Sequence, residues 1–162
     1  MTDVHPDVAD TADDIATMEI RGAATIADAA AGALATAARE SDADSPEAFH
    51  EDLRKAAKTL YETRPTAVSL PNALRFVMAD VTGATVAELR ESAIASAEAF
   101  QRDLDQAQER LGEVGANRLR DGDVVMTHCH STDALSCVKA ALDQGKHIEA
   151  IVKETRPRKQ GH

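Results

Sequence analysis

Apolar positions recur at helical spacing over the first two thirds of the chain and then change period. Ile15 and Met18 fall on one face of a helix expected to begin near Thr11, after an acidic stretch, Met1 to Asp10, expected to fray. Gly22 interrupts the helical pattern within Ile20-Arg21-Gly22-Ala23-Ala24, and an alanine-rich helix follows to about Arg39. Ser41 to Ser45 is a polar loop. Ser45-Pro46-Glu47 marks the next start: serine caps, proline takes the first helical position, and glutamate faces the positive end of the helix dipole. Leu53 and Leu60 lie on that helix, which ends near Glu62. Pro65 disfavours helical geometry at Arg64 and places it at a bend. The pattern then predicts a helix from Leu70 to Val81, a break at Gly83, and a long amphipathic helix from Thr85 to about Leu111. Leu89, Ile94, Ala97 and Leu104 form its stripe, and Gly112 and Gly115 mark a weak spot near its end.

The character changes at the turn signal Asp121-Gly122-Asp123. Val124 to His128 reads as a buried strand, Cys129-His130-Ser131 as a tight connection, and Thr132 to Gln144 as a helix stopped by Gly145. His147 to Lys153 reads as a second strand. Strand–helix–strand is the unit of a parallel sheet. The fold class expected is therefore α+β to α/β, with a helical domain over residues 1–120 and the start of a parallel sheet over residues 121–162. Two parallel strands are few for a stable doubly wound sheet. Further strands are expected from another chain, or the sequence is a truncated product. The tetrapeptide Glu-Thr-Arg-Pro occurs at 62–65 and again at 154–157, after a helix and after a strand respectively. The surroundings differ, so it marks no domain repeat.

Composition narrows the setting. The 162 residues carry 28 acidic and 18 basic side chains, for a formal net charge of −10. Such a chain repels nucleic acids and anionic membranes unless it carries a local basic patch. Plentiful Asp, scarce Lys and small apolar residues fit a high-salt cytoplasm, where salt screens the self-repulsion; an ordinary acidic cytosolic protein is the plainer alternative. No apolar run approaches the roughly 20 residues of a membrane span, and the acidic start does not resemble a signal peptide. Cys129 and Cys137 lie eight apart on one strand–helix unit, a spacing unsuited to a structural disulfide, and this points to a reducing compartment.

Cys129 is the sharpest candidate for chemistry. It falls where a strand ends and a helix begins, the place where open parallel sheets bind ligands. Free N–H groups at a helix start favour both a thiolate and a phosphate. His128 and His130 flank the thiol and either could share its proton. The alternative is a buried structural cysteine, the role expected of Cys137. A metal site built on His128-Cys129-His130 is not expected, because alternation on a strand points the two histidines away from the cysteine. Arg21-Gly22-Ala23-Ala24 offers a cationic fork beside a closely approachable backbone, or else a helix crossing that needs small residues. Arg64 is either an anion contact at a fixed bend or a surface arginine. Arg156, Arg158 and Lys159 form a basic cluster that could face phosphate or simply solvent.

Four segments together carry a resemblance: Met18 to Ala24, Glu62 to Val68, Thr127 to Ser131, and Glu154 to Gly161. In this order they resemble the family containing the α, β and δ subunits of translation initiation factor 2B, methylthioribose-1-phosphate isomerase and archaeal ribose-1,5-bisphosphate isomerase. The resemblance covers nearly all of this chain and about the first half of the family's length. It implies an N-terminal helical domain followed by a Rossmann-like domain, here incomplete. Cys129 matches the catalytic cysteine of the two isomerases. With His130-Ser131 after it and a short start, the sequence is most similar to the ribose-1,5-bisphosphate enzymes. The resemblance implies isomerisation of ribose 1,5-bisphosphate to ribulose 1,5-bisphosphate in nucleoside monophosphate breakdown, with no cofactor. Cys129 would accept the proton. Arg21, Gly22, Ala23, Ala24, Arg64, Ser131, Thr132, Asp133 and Gln160 would bind substrate. The family's proton-donating aspartate and its substrate-binding asparagine and lysines belong to its second half, so this chain is expected to be inactive alone. A homo-oligomer is expected once that half is supplied. The alternative function is a non-catalytic initiation factor 2B-like subunit in contact with initiation factor 2.

Overall fold

The computed structural model describes residues 4–129 and 131–156. Their order is α1 (Pro6–Thr17), α2 (Ala23–Glu40), α3 (Pro46–Thr63), α4 (Ser69–Ala79), α5 (Val86–Ala116), β1 (Val124–His128), α6 (Thr132–Asp143) and β2 (Glu149–Lys153). The chain divides into two compact units, Met1–Leu104 and Asp105–His162.

In the first unit the helices start where side chains supply the missing acceptors. Ser45 Oγ accepts from the Ala48 N–H at the head of α3, with Pro46 at the first helical position. Thr85 and Glu88 form a reciprocal cap on α5. Thr85 Oγ1 accepts from the Glu88 N–H, and Glu88 Oε2 accepts from the N–H groups of Ala84 and Thr85. The expected fraying of Met1 to Asp10 is corrected from Pro6 onward. His5 Nδ1 accepts from the Asp7 N–H, Pro6 fixes the first turn, and Val8 is fully buried. Burial of Val8 with Ala12 and Ile15 along one face outweighs the fraying of an acidic terminus.

Met18 does not continue that face. It adopts φ 67, ends α1, and donates its N–H to Ile15 O. The chain then turns to Gly22, whose φ of 96 suits glycine and whose carbonyl accepts from Ile26. α2 packs against α1, α3 and α4, and its buried face is alanine with Ile26 and Leu34. Phe49, Leu53 and Leu60 of α3, Leu70 and Val77 of α4, and Leu89 of α5 complete this core. Arg90 closes the far end of α2, donating from Nε to Ala38 O at 3.0 Å and from Nη2 to Ser41 O at 2.7 Å. These carbonyls would otherwise lack intrahelical partners. The bend at Arg64 follows expectation: it ends α3 at φ −148, ψ 70.

The second unit is built on the end of α5. That helix does not stop at Leu111. It runs through Gly112 and Gly115 to Ala116, because the glycines serve a close approach to α6. A Cβ on Gly115 would collide with Cys137 Sγ, and one on Gly112 would lie 3.2 Å from Ser136 O. β1 and β2 pair in parallel from Val124↔Glu149 to His128↔Lys153. The strand expected to be buried is only half-buried. Val125 and Thr127 turn inward, while Val124 and Met126 are 56% and 63% exposed. An apolar run anticipates cover on both faces, and among the described residues one face of β1 is covered. At the opening of the sheet, Asp121 Oδ1 accepts from the His147 N–H at 2.7 Å and meets His147 Nδ1 at 3.1 Å. The backbone bond from His147 is the larger reason that the Asp121 carboxyl is held below its usual value.

Candidate functional site

β1 ends at His128, and the next residue breaks the strand. Cys129 takes φ 62, one of two non-glycine residues in the left-handed region among those described. Left-handed geometry costs an L-residue roughly 1–2 kcal/mol, and strain of this kind gathers at functional sites. The turn carries Cys129 out of the strand's alternation, so the period-2 argument does not apply to its side chain. Its N–H donates to Lys153 O at 3.3 Å, extending the parallel ladder by one bond. Its thiol is partly buried and accepts from Thr155 Oγ1 at 3.6 Å.

α6 begins three residues later. Ser131 caps it, with Oγ accepting from the Ala134 N–H at 3.2 Å, and Asp133 occupies the first turn. Cys129 and Ser131 line a cavity of about 390 Å³ within the second unit. The remaining lining is mainly aliphatic and includes Val125, Leu135, Val138 and Val152. Such walls suit packing between sheet and helix better than they suit a phosphate. Thr127, Cys129 and Ser131 line it around the strand end and helix start, and Cys137 lines it from α6. The strand end, the thiol and the amino end of α6 are thus brought together within the second unit.

The other expected site residues lie elsewhere in the chain. Arg21, Gly22 and Ala23 are exposed at the start of α2 and Ala24 is half-buried, all in the first unit. Arg64, half-buried, accepts at its carbonyl from the Ala67 N–H in the same unit. Thr132 and Asp133 are exposed on α6. Arg156 donates to Glu154 Oε1 at 2.8 Å. Gln160, His130, Arg158 and Lys159 lie outside the described residues. Cys137 is half-buried, with Sγ against Gly115 and 3.5 Å from Leu111 O. Among the described residues, no helix is long and apolar enough to cross a membrane, and no group of three or more His, Cys, Asp or Glu could hold a metal ion. Sequence reasoning missed Thr155. It lies in the second Glu-Thr-Arg-Pro, and nothing in that tetrapeptide signals a threonine facing a thiol.

The model of the initiation factor 2 subunit family matches residues 19–162. A ribose 1,5-bisphosphate isomerase of Haloterrigena turkmenica is 74% identical over 99% of this chain, and one of Haloferax volcanii is 68% identical over 98%. The chain spans about half the length of these relatives, 49% of each. A crystal structure described as translation initiation factor eIF-2B, subunit delta, from A. fulgidus superposes with a TM-score of 0.78 at 38% identity. It covers 95% of this chain and 48% of its own.

Proposed function

Since the chain belongs to the initiation factor 2 subunit family, we propose that it forms the amino-terminal part of an aldose–ketose isomerase acting on ribose 1,5-bisphosphate. The observation that carries this is the placement of Cys129, strained and cavity-lining, between the end of β1 and the capped start of α6. The names of the 74% and 68% identical relatives support the substrate. In this reading a helical domain over residues 1–120 precedes the first strand–helix–strand of a Rossmann-like sheet over residues 121–162. The exposed outer face of β1 is covered by the part of the fold that the longer relatives possess.

Isomerisation breaks the C1–O4 ring bond with a proton delivered to O4. It then removes a proton from C2 and returns one to C1 as the C2 hydroxyl gives up its proton to become the carbonyl. Cys129 is the acceptor for the proton from C2. Ser131, Thr132 and Asp133 bind substrate at the start of α6. Arg21 to Ala24, Arg64 and Gln160 bind phosphate and sugar oxygens. The donor is supplied by the other half, no cofactor takes part, the assembled protein is a cytoplasmic homo-oligomer, and this chain alone is inactive.

The test supplies the missing half. The chain joined to the carboxyl-terminal half of the Haloferax volcanii relative is expected to convert ribose 1,5-bisphosphate to ribulose 1,5-bisphosphate. Cys129→Ser should lower kcat by about a hundredfold or more, the scale of a lost general base. An inactive joined protein, or an active Cys129→Ser, refutes the assignment; turnover by the chain alone refutes its dependence on the other half. The initiation-factor reading draws on the A. fulgidus structure. Co-purification with an initiation factor 2 subunit, without isomerisation, would establish it.

A further inference from the structure

Cys129 is held by more than the turn that carries it. The bond from its N–H to Lys153 O brings the segment after β2 alongside the thiol. Thr155, two residues on, directs its hydroxyl at the sulfur: Oγ1 donates to Sγ across 3.6 Å in a partly buried setting. That separation is ordinary for sulfur, whose radius exceeds that of oxygen. The flanking residues pair with each other, Arg156 Nε donating to Glu154 Oε1 at 2.8 Å. β2 ends at Lys153, and Thr155 follows as an isolated bridge residue with Arg156 in a turn. The pairing thus ties both neighbours of Thr155 together while the threonine faces the cysteine.

We propose that Thr155 is a positioning residue for Cys129, its hydroxyl fixing the thiol in the orientation from which the sulfur takes up a proton. This rests on the isomerase reading above. A hydroxyl donating to a thiolate makes a charge-assisted hydrogen bond, stronger than one between neutral groups. Cys129 already carries the cost of left-handed backbone, and the Thr155 hydroxyl adds to what holds its side chain in the alignment that this backbone provides. Positioning of this kind lowers barriers without contact to substrate.

Thr155→Val keeps the branched shape and removes the hydroxyl, while Thr155→Ser keeps the hydroxyl and removes a methyl. The readout is the rate of iodoacetamide alkylation at each cysteine of the full chain, resolved by peptide mass spectrometry. Thr155→Val is expected to slow Cys129 about fivefold, the factor one net hydrogen bond supplies, with Cys137 unchanged. Thr155→Ser should restore Cys129 to the parent rate. An unchanged Cys129 in Thr155→Val, or no recovery in Thr155→Ser, overturns the proposal. Faster labelling of Cys137 in Thr155→Val also overturns it, because the unit would then have loosened generally. In the protein joined to the relative's second half, Thr155→Val should lower kcat and leave KM in place. If the joined parent shows no isomerisation while the labelling rates divide as expected, the isomerase reading fails and the Thr155–Cys129 coupling stands. If it turns over normally in Thr155→Val, the coupling fails alone.

Discussion

Two glycines separate backbone need from packing need. Gly22 holds φ 96 with open room for a Cβ, the nearest atom being Thr25 Oγ1 at 3.5 Å. With ψ 137 beside that φ, Gly22→Ala should cost about 1–3 kcal/mol, from conformation alone. Gly32 lies inside α2, where a Cβ would make only an ordinary contact with Gln101 Nε2 at 3.5 Å. Gly32→Ala should stabilise by up to about 1 kcal/mol through helix propensity. Urea denaturation of both variants checks the opposite signs. Asp121 has a titration whose direction follows from its hydrogen bonds. Its carboxyl is held low first by the His147 N–H and then by the ring. A depressed folded-state value means that this contribution to stability is present above the unfolded carboxylate pKa and is lost as pH falls through the lower folded one. His147→Ala keeps the backbone donor, so Asp121 should still titrate below the ordinary carboxylate range in that variant, read by side-chain carboxyl NMR. At this scale the sequence disclosed the strand-to-helix turn that carries Cys129. It did not disclose that Thr155 faces the thiol, a contact that depends on β2 pairing alongside β1.

Local chemistry made most elements legible. Ser45-Pro46 announced α3, Pro65 announced the bend at Arg64, and the apolar run after Asp123 announced β1 with its bounds intact. The misses came where tertiary contact outweighs local preference. Pro6 to Asp10 reads as an acidic tail until Val8 is seen buried against the helical core. Gly112 and Gly115 read as helix breakers until α6 is seen lying against them. Arg90 acts at the same scale, holding the last carbonyls of α2 from a helix about 50 residues later in sequence. Arg90→Leu should keep much of the aliphatic stem and remove both bonds. A loss of about 2–4 kcal/mol is expected on the basis of one to two kcal/mol per unsatisfied group, measured by thermal or urea unfolding of the helical signal.

The two units differ in how completely they close. Met1–Leu104 holds the large buried side chains, Phe49, Leu34, Leu53 and Leu60 among them. The apolar run of β1 reads as a strand covered on both sides, and Val124 and Met126 stand exposed. Sequence reasoning reported the environment for which these residues are suited. The alanine face of α2 has a thermal consequence. Alanine brings helices close with almost no side-chain entropy to lose, and it also withdraws little apolar surface from water. Apolar exposure dominates the heat capacity of unfolding. The helical unit should therefore unfold with a heat-capacity increment below the usual ~12–15 cal/mol/K per residue, measurable by calorimetry on the full chain. Its stability would then vary gently with temperature, with cold denaturation displaced far below freezing.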